Sequence, residues 1–106
     1  KYGRKKNLDI TLFQSNYEGE IIDIIQAARN KKDAIIINAG GYTHTSIAIL
    51  DSLRAFTGLI YEVHISNSYN REYYRRKSYI SLISNGVICG LDILGYEIAM
   101  DAVLFE

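Results

Sequence analysis

Ala34-Ile35-Ile36-Ile37-Asn38-Ala39-Gly40-Gly41-Tyr42-Thr43-His44-Thr45-Ser46 passes from four apolar residues through a polar turn into a helical pattern. The apolar run reads as a strand buried on both faces. The turn carries an amide, an imidazole and several hydroxyls, and little in it is needed for packing alone. Its adjacent glycines, Gly40 and Gly41, allow a sharp bend and close approach of backbone to a ligand. Strand, polar turn and helix in succession form the unit of a parallel α/β sheet, and the same alternation continues on either side.

Upstream, Glu18 to Asn30 reads as an amphipathic helix with Ile21, Ile22, Ile25 and Ala28 on one face. Glu18 and Glu20 open it and Arg29, Lys31 and Lys32 close it, which complements the helix dipole. Before it, Asp9-Ile10-Thr11-Leu12-Phe13 alternates as a strand does, and Gln14 to Tyr17 reads as a turn. Downstream, a second helix over Thr45–Phe56 turns Ile49, Leu53 and Phe56 inward. A strand follows over Leu59–Ile65, then a short charged helix over Arg71–Lys77 and an irregular stretch over Ser78–Asn85. Gly86–Gly90 reads as a short buried strand. Gly95–Leu104 reads as a last helix with Tyr96, Ala99, Met100 and Val103 inward. The expected fold is α/β: one flavodoxin-like domain over 1–106, a doubly wound parallel sheet in three α/β/α layers.

The 106 residues suffice for one domain. Twelve basic and twelve acidic side chains balance, so no global field attracts nucleic acid or an anionic membrane surface. One cysteine, Cys89, excludes a disulfide framework and a multi-cysteine zinc site. A single thiol in an apolar run fits a small buried hydrophobe in a reducing, cytoplasmic setting. No apolar run approaches the ~20 residues of a membrane span. Lys1 to Lys6 is basic but lacks the apolar stretch of a signal peptide. No Gly-x-Gly-x-x-Gly or Walker sequence is present, so the glycine pair does not read as a nucleotide cradle. No His-x-x-x-His or carboxylate cluster points to a metal, and no serine stands at a nucleophile elbow.

In a parallel sheet, ligands lie beyond the carboxyl ends of the strands. Two polar segments reach that edge: the turn Asn38–Ser46, and Glu62-Val63-His64-Ile65-Ser66-Asn67. If their strands are neighbours, Asn38, His44, His64 and Ser66 converge on one cleft. Glu62 and His64 are two apart on a strand, so both side chains leave the same face. A carboxylate there can bond one ring nitrogen, fix the tautomer and stabilise the protonated ring, which prepares a general acid. The bland alternative is that both are solvated at a strand end. Titratable groups in an apolar strand are costly unless paired or used, which favours the functional reading. His44 and Asp51 are seven apart and share a face if the helix begins early enough, so Asp51 either orients His44, meets a neighbouring subunit or is a plain surface acid. Arg71 and Arg75, four apart, share a helix face and could clamp ligand oxygens, whereas Glu72 and Arg76 make an ordinary surface pair.

Asn38-Ala39-Gly40-Gly41-Tyr42-Thr43-His44-Thr45-Ser46, Glu62-Val63-His64-Ile65-Ser66-Asn67, Arg71-Glu72-Tyr73-Tyr74-Arg75, Ser78-Tyr79-Ile80-Ser81 and Gly86-Val87-Ile88-Cys89-Gly90 closely resemble type II 3-dehydroquinate dehydratase. Phe13-Gln14-Ser15-Asn16-Tyr17-Glu18-Gly19-Glu20 matches the same family, so the likeness runs through nearly the whole chain in order. The resemblance implies a cofactor-free dodecamer, a tetramer of trimers. Such an enzyme converts 3-dehydroquinate to 3-dehydroshikimate by anti elimination of water through an enolate. By matching position, His64 resembles the general acid that protonates the departing C1 hydroxyl, and Glu62 the residue that orients it. Asn38 resembles the residue that holds the C1 hydroxyl region. Ile65 and Ser66 resemble the pair that grips the substrate carboxylate, and His44 and Arg75 those that read the C4 and C5 hydroxyls. Arg71 matches a position near the lid, and Asp51 one that reaches toward a neighbouring subunit's site.

The family's lid, with its tyrosine base and activating arginine, and its Gly-Pro-Asn-Leu-Asn turn have no counterpart in this sequence. Tyr2 precedes a glycine as the base does, but its setting resembles the end of the family's first helix, so it is not assigned the role. In flavodoxin strand order, 2-1-3-4-5, the first strand is central. A sheet whose second strand is Asp9–Phe13 would lack the strand between it and the next, leaving backbone unpaired on both sides. The expectation is a further N-terminal βα segment of roughly 30–40 residues, without which the polypeptide is inactive and poorly folded. The competing reading is a non-catalytic relative, a small-molecule binding or assembly subunit that keeps the cleft without the base.

Overall fold

The computed structural model describes residues 8–67 and 77–105. The short charged helix expected over Arg71–Lys77 falls largely outside them. Three parallel strands form one sheet: β1 (Ala34–Ile37), β2 (Leu59–His64) and β3 (Gly86–Cys89), in the order β1-β2-β3. This is the succession of the 3-4-5 half of a flavodoxin-type sheet. Three helices flank it: α1 (Glu18–Ala28), α2 (Ile47–Arg54) and α3 (Leu94–Phe105).

Side chains alternate across the sheet, as the period of two requires. Ile35, Ile37 and Ile60 join one core with Ile25 of α1 and Ile49, Leu53 and Phe56 of the α2 region. Ile36, Tyr61 and Val63 join a second core with Tyr96, Ala99 and Val103 of α3. The helix faces expected from sequence pack in these cores, except that Met100 joins neither, and they give the α/β layering. The strand at Gly86–Cys89 is less buried than expected: it pairs on one side only among the described residues, Val87 is 47% exposed and Cys89 is half-buried. No helix among the described residues is long and apolar enough to cross a membrane.

Three expectations are corrected. Residues 9–13 form no strand: Leu12 is 85% and Phe13 64% exposed. A strand needs a neighbour's backbone, and β1 pairs only with β2 among the described residues, so no ladder reaches 9–13. The first helix ends at Ala28 because Asn30 takes a left-handed φ of 63° and the N–H groups of Lys31 and Lys32 both bond the Ala28 carbonyl. Arg29, Lys31 and Lys32 therefore follow the last turn instead of filling it. The second helix starts at Ile47, because Ser46 caps it: Ser46 Oγ accepts the Ile49 N–H at 3.0 Å. Ser46 also donates to Glu18 Oε2 at 2.5 Å, which ties the first turns of α1 and α2 together.

The register is Ala34↔Leu59 through Ile37↔Glu62, and Tyr61↔Gly86 through His64↔Cys89. The carboxyl ends of all three strands thus reach one edge, with Asn38 just past β1 and Ile65 just past β2.

Candidate active site

Glu62 lies on the same face of β2 as Ile60, in the row that continues the α1–α2 core, and it is 0% exposed. Its carboxylate collects three donors. His64 Nε2 donates to Oε2. Ser78 Oγ donates to the same oxygen at 2.8 Å, and Ser81 Oγ donates to Oε1 at 2.5 Å. Burial pushes the Glu62 carboxyl up, but the hydrogen bonds from His64, Ser81 and Ser78 and the charge of His64 outweigh it, so the group ends below the ordinary value of 4.5. His64 sits at the strand end with its side chain 11% exposed. Its Nε2–H is committed to Glu62, which leaves Nδ1 as the atom through which the ring can act on a substrate.

That depressed carboxyl makes stability depend on acid. The unfolded chain binds the Glu62 proton more readily than the folded one, so this contribution is whole above about 4.5 and is lost as pH falls through the folded value. Acid unfolding of wild type and Glu62→Gln, followed by circular dichroism, checks this: the variant should show the shallower loss of stability below that pH.

The turn after β1 is a 3₁₀ helix over Gly40–His44. Gly40 has φ +58°, the left-handed conformation that its glycine permits. Asn38 is fixed at both ends of its amide: Nδ2 donates to Tyr96 Oη at 3.0 Å and Oδ1 accepts the Gly40 N–H at 3.2 Å. An open cleft of about 460 Å³ lies between this turn and residues 14–16, lined by Gln14, Ser15, Asn16, Asn38, Ala39, Gly40, Gly41, Tyr42 and Thr45. Tyr42 Oη, bonded to the Asn16 carbonyl at 3.0 Å, joins its two walls.

The shared edge therefore brings together Asn38, His64, Ile65 and Ser66, although only Asn38 of these walls the cleft. Beyond β2 the chain is held by the Gly90 N–H on the His64 carbonyl (3.1 Å) and the Asp92 N–H on the Ile65 carbonyl (3.0 Å). His44 does not share a helical face with Asp51. It ends the 3₁₀ turn, three residues before α2 begins, and Asp51 is exposed on α2. The His44 Nδ1–H donates to the Lys77 carbonyl at 2.6 Å, which sets the ring's tautomer from another direction. Arg71 and Arg75 lie outside the described residues.

Spacing alone does not reveal the roles of Ser78, Ser81, Tyr96 and the Gln14–Asn16 segment. Ser78 and Ser81 belong to a family-like motif in a stretch expected to be irregular; a 3₁₀ turn forms there over Ile80–Leu82, and the Ser81 N–H bonds Ser78 Oγ at 3.1 Å. A Ser-x-x-Ser pair facing a strand-end glutamate was the available signal. Tyr96 was assigned to packing and also holds Asn38; nothing in its local sequence marks this. The Gln14–Asn16 segment, a turn and part of a family-like stretch by sequence, also walls the cleft.

Comparison with known proteins gives a consistent result. The family model described as dehydroquinase class II matches residues 1–104. A 3-dehydroquinate dehydratase of Cereibacter sphaeroides (strain ATCC 17029) is 52% identical over 96 residues, 91% of this chain and 65% of its own length. One of Polynucleobacter asymbioticus is 49% identical over 102 residues, 95% of this chain and 68% of its own. The crystal structure of the type II dehydroquinase from Propionibacterium acnes superposes with a TM-score of 0.95 at 34% identity, covering 99% of this chain and 77% of that one. The chain spans just under two thirds of the length of the Cereibacter relative. On matching sequence, matching fold and the site at the carboxyl edge of its sheet, this chain belongs to the class II dehydroquinase family.

Proposed function

We propose that the protein containing this chain dehydrates 3-dehydroquinate to 3-dehydroshikimate by anti elimination through an enolate, in aromatic amino-acid biosynthesis or quinate catabolism. The observation that carries the proposal is the pairing of His64 with a buried, ionised Glu62 at the carboxyl edge of the sheet. The Nε2–H is anchored, so the ring is aimed, and Nδ1 is the atom that protonates the departing C1 hydroxyl. Asn38, held by Tyr96 and the Gly40 N–H, positions that hydroxyl region. Ile65 and Ser66 grip the substrate carboxylate, and His44 and Arg75 read the ring hydroxyls. Arg71 and Asp51 match lid-adjacent positions of the family, Asp51 being the one assigned to a neighbouring subunit's site. Proton abstraction in this reading belongs to a lid tyrosine, a role assigned to none of these 106 residues. The assembly is a cytoplasmic dodecamer built of trimers.

The test is direct. Full-length protein mixed with 3-dehydroquinate should produce the ultraviolet absorbance of the conjugated enone. A folded full-length protein that gives no such rise overturns the dehydratase proposal.

A further inference from the structure

We infer that Ser78 and Ser81 are positioning residues that fix the orientation of Glu62 and, through it, of His64. The inference rests on the dehydratase reading above for its kinetic consequences, but its geometric part stands on the structure alone.

Both serine protons have one place to go. Ser78 Oγ accepts the Ser81 N–H at 3.1 Å, so its own proton is turned to Glu62 Oε2 at 2.8 Å. Ser81 Oγ serves the other oxygen, Oε1, at 2.5 Å. With His64 on Oε2, the carboxylate is gripped at both oxygens and cannot rotate about its last bond without breaking a contact. The segment that carries the serines is itself pinned. Ile80 is 0% exposed in the α1–α2 core. The Tyr79 N–H bonds the Thr43 carbonyl at 3.0 Å, and the Lys77 carbonyl takes the His44 Nδ1–H at 2.6 Å. One five-residue stretch, 77–81, therefore braces both halves of the site: the turn that carries His44 and the strand end that carries His64.

The choice of serine has a physical reason. A lysine or arginine here would satisfy the carboxylate but cancel its charge. Hydroxyl donors stabilise the anion and leave its charge for the imidazole. Across the sheet Glu62 is flanked by Ile37 and Val87, and from 77–81 come Ser78 and Ser81. Among the described residues His64 is the titratable group paired with it.

The experiment compares wild type, Ser78→Ala, Ser81→Ala, the double variant and Ser81→Thr in the full-length protein. Without its hydroxyl donors the buried carboxyl takes a proton more easily, so the acid limb of the kcat–pH profile should move to higher pH. At the acid end kcat should fall roughly tenfold in the double variant, with KM little changed. Ser81→Thr, which keeps the hydroxyl, should recover most of the rate lost in Ser81→Ala. A merely structural role would lower stability and leave the pH profile in place, and that result overturns the inference. A second readout needs no turnover: the ring ¹H–¹⁵N resonances of His64 followed against pH by NMR. In the double variant the Glu62-bonded Nε2–H signal should be lost at higher pH than in wild type; an unchanged titration also overturns the inference. An inactive wild type with the expected NMR shift counts against the dehydratase reading and leaves the positioning role standing. Should the double variant not fold, the single variants carry the same test.

Discussion

His64→Ala in the full-length protein is expected to lower kcat roughly 100-fold or more, with kcat/KM falling alongside. In the proposed dehydration hydroxide is a poor leaving group, so elimination needs a proton delivered as the C–O bond breaks. Among the described residues, the group placed for this is the His64 ring, held by its Nε2–H on Glu62. That proton transfer belongs to the transition state and adds little to substrate binding, so KM should change far less than kcat. The fold should survive. β2 is held by backbone pairing to both neighbours, and the His64 ring lies at the strand end outside both hydrophobic cores. Glu62 would keep two of its three donors, Ser78 and Ser81. Initial rates by enone absorbance, with circular dichroism as the control for folding, decide the matter. An unchanged kcat removes His64 from the acid role.

What could be read from the sequence, and what could not, follows from the range of each interaction. The strand of Ala34–Ile37 and the helix faces around Ile25, Ile49 and Ala99 were legible because apolar period and burial are local signals. The Glu62–His64 pair was legible because two residues apart on a strand is a fixed geometry. The strand expected at residues 9–13 failed because alternation specifies a strand only where a partner completes its ladder. The His44–Asp51 relation failed on a boundary: the Ser46 cap starts α2 too late for a shared helical face. The service of Ser78 and Ser81 to Glu62 was not legible because their partner is 16 and 19 residues earlier in the chain, and no local pattern records that contact. The site thus divides into a strand-borne part that spacing reveals and a brace that only folding assembles.

Gly58→Ala should cost about 3 kcal/mol of stability and lower the melting temperature by roughly 10–20 °C. Gly58 precedes β2, and the reason for glycine there is space. A Cβ would lie 2.3 Å from the Asp33 carbonyl oxygen, 2.9 Å from its carbon and 2.8 Å from Phe56 Cε2. Two of the three atoms belong to backbone, which cannot swing aside as a side chain can. The same Asp33 oxygen accepts the Leu59 N–H at 3.0 Å, the bond that opens the β1–β2 ladder ahead of Ala34↔Leu59. Relieving the clash therefore means giving up that bond or shifting β1 along β2. A shift of β1 along β2 would displace Asn38 relative to His64, because the ladder sets where both strands end. Activity should fall with stability, although Gly58 lies at the opposite end of the strand from the chemistry. Gly41→Ala is the contrast: a Cβ there meets nothing within 4 Å and the backbone is not left-handed, so thermal unfolding should be little altered. Equal melting temperatures for Gly58→Ala and wild type would mean that the Asp33–Gly58 approach does not set the register, and the link from strand start to active-site edge would have to be given up.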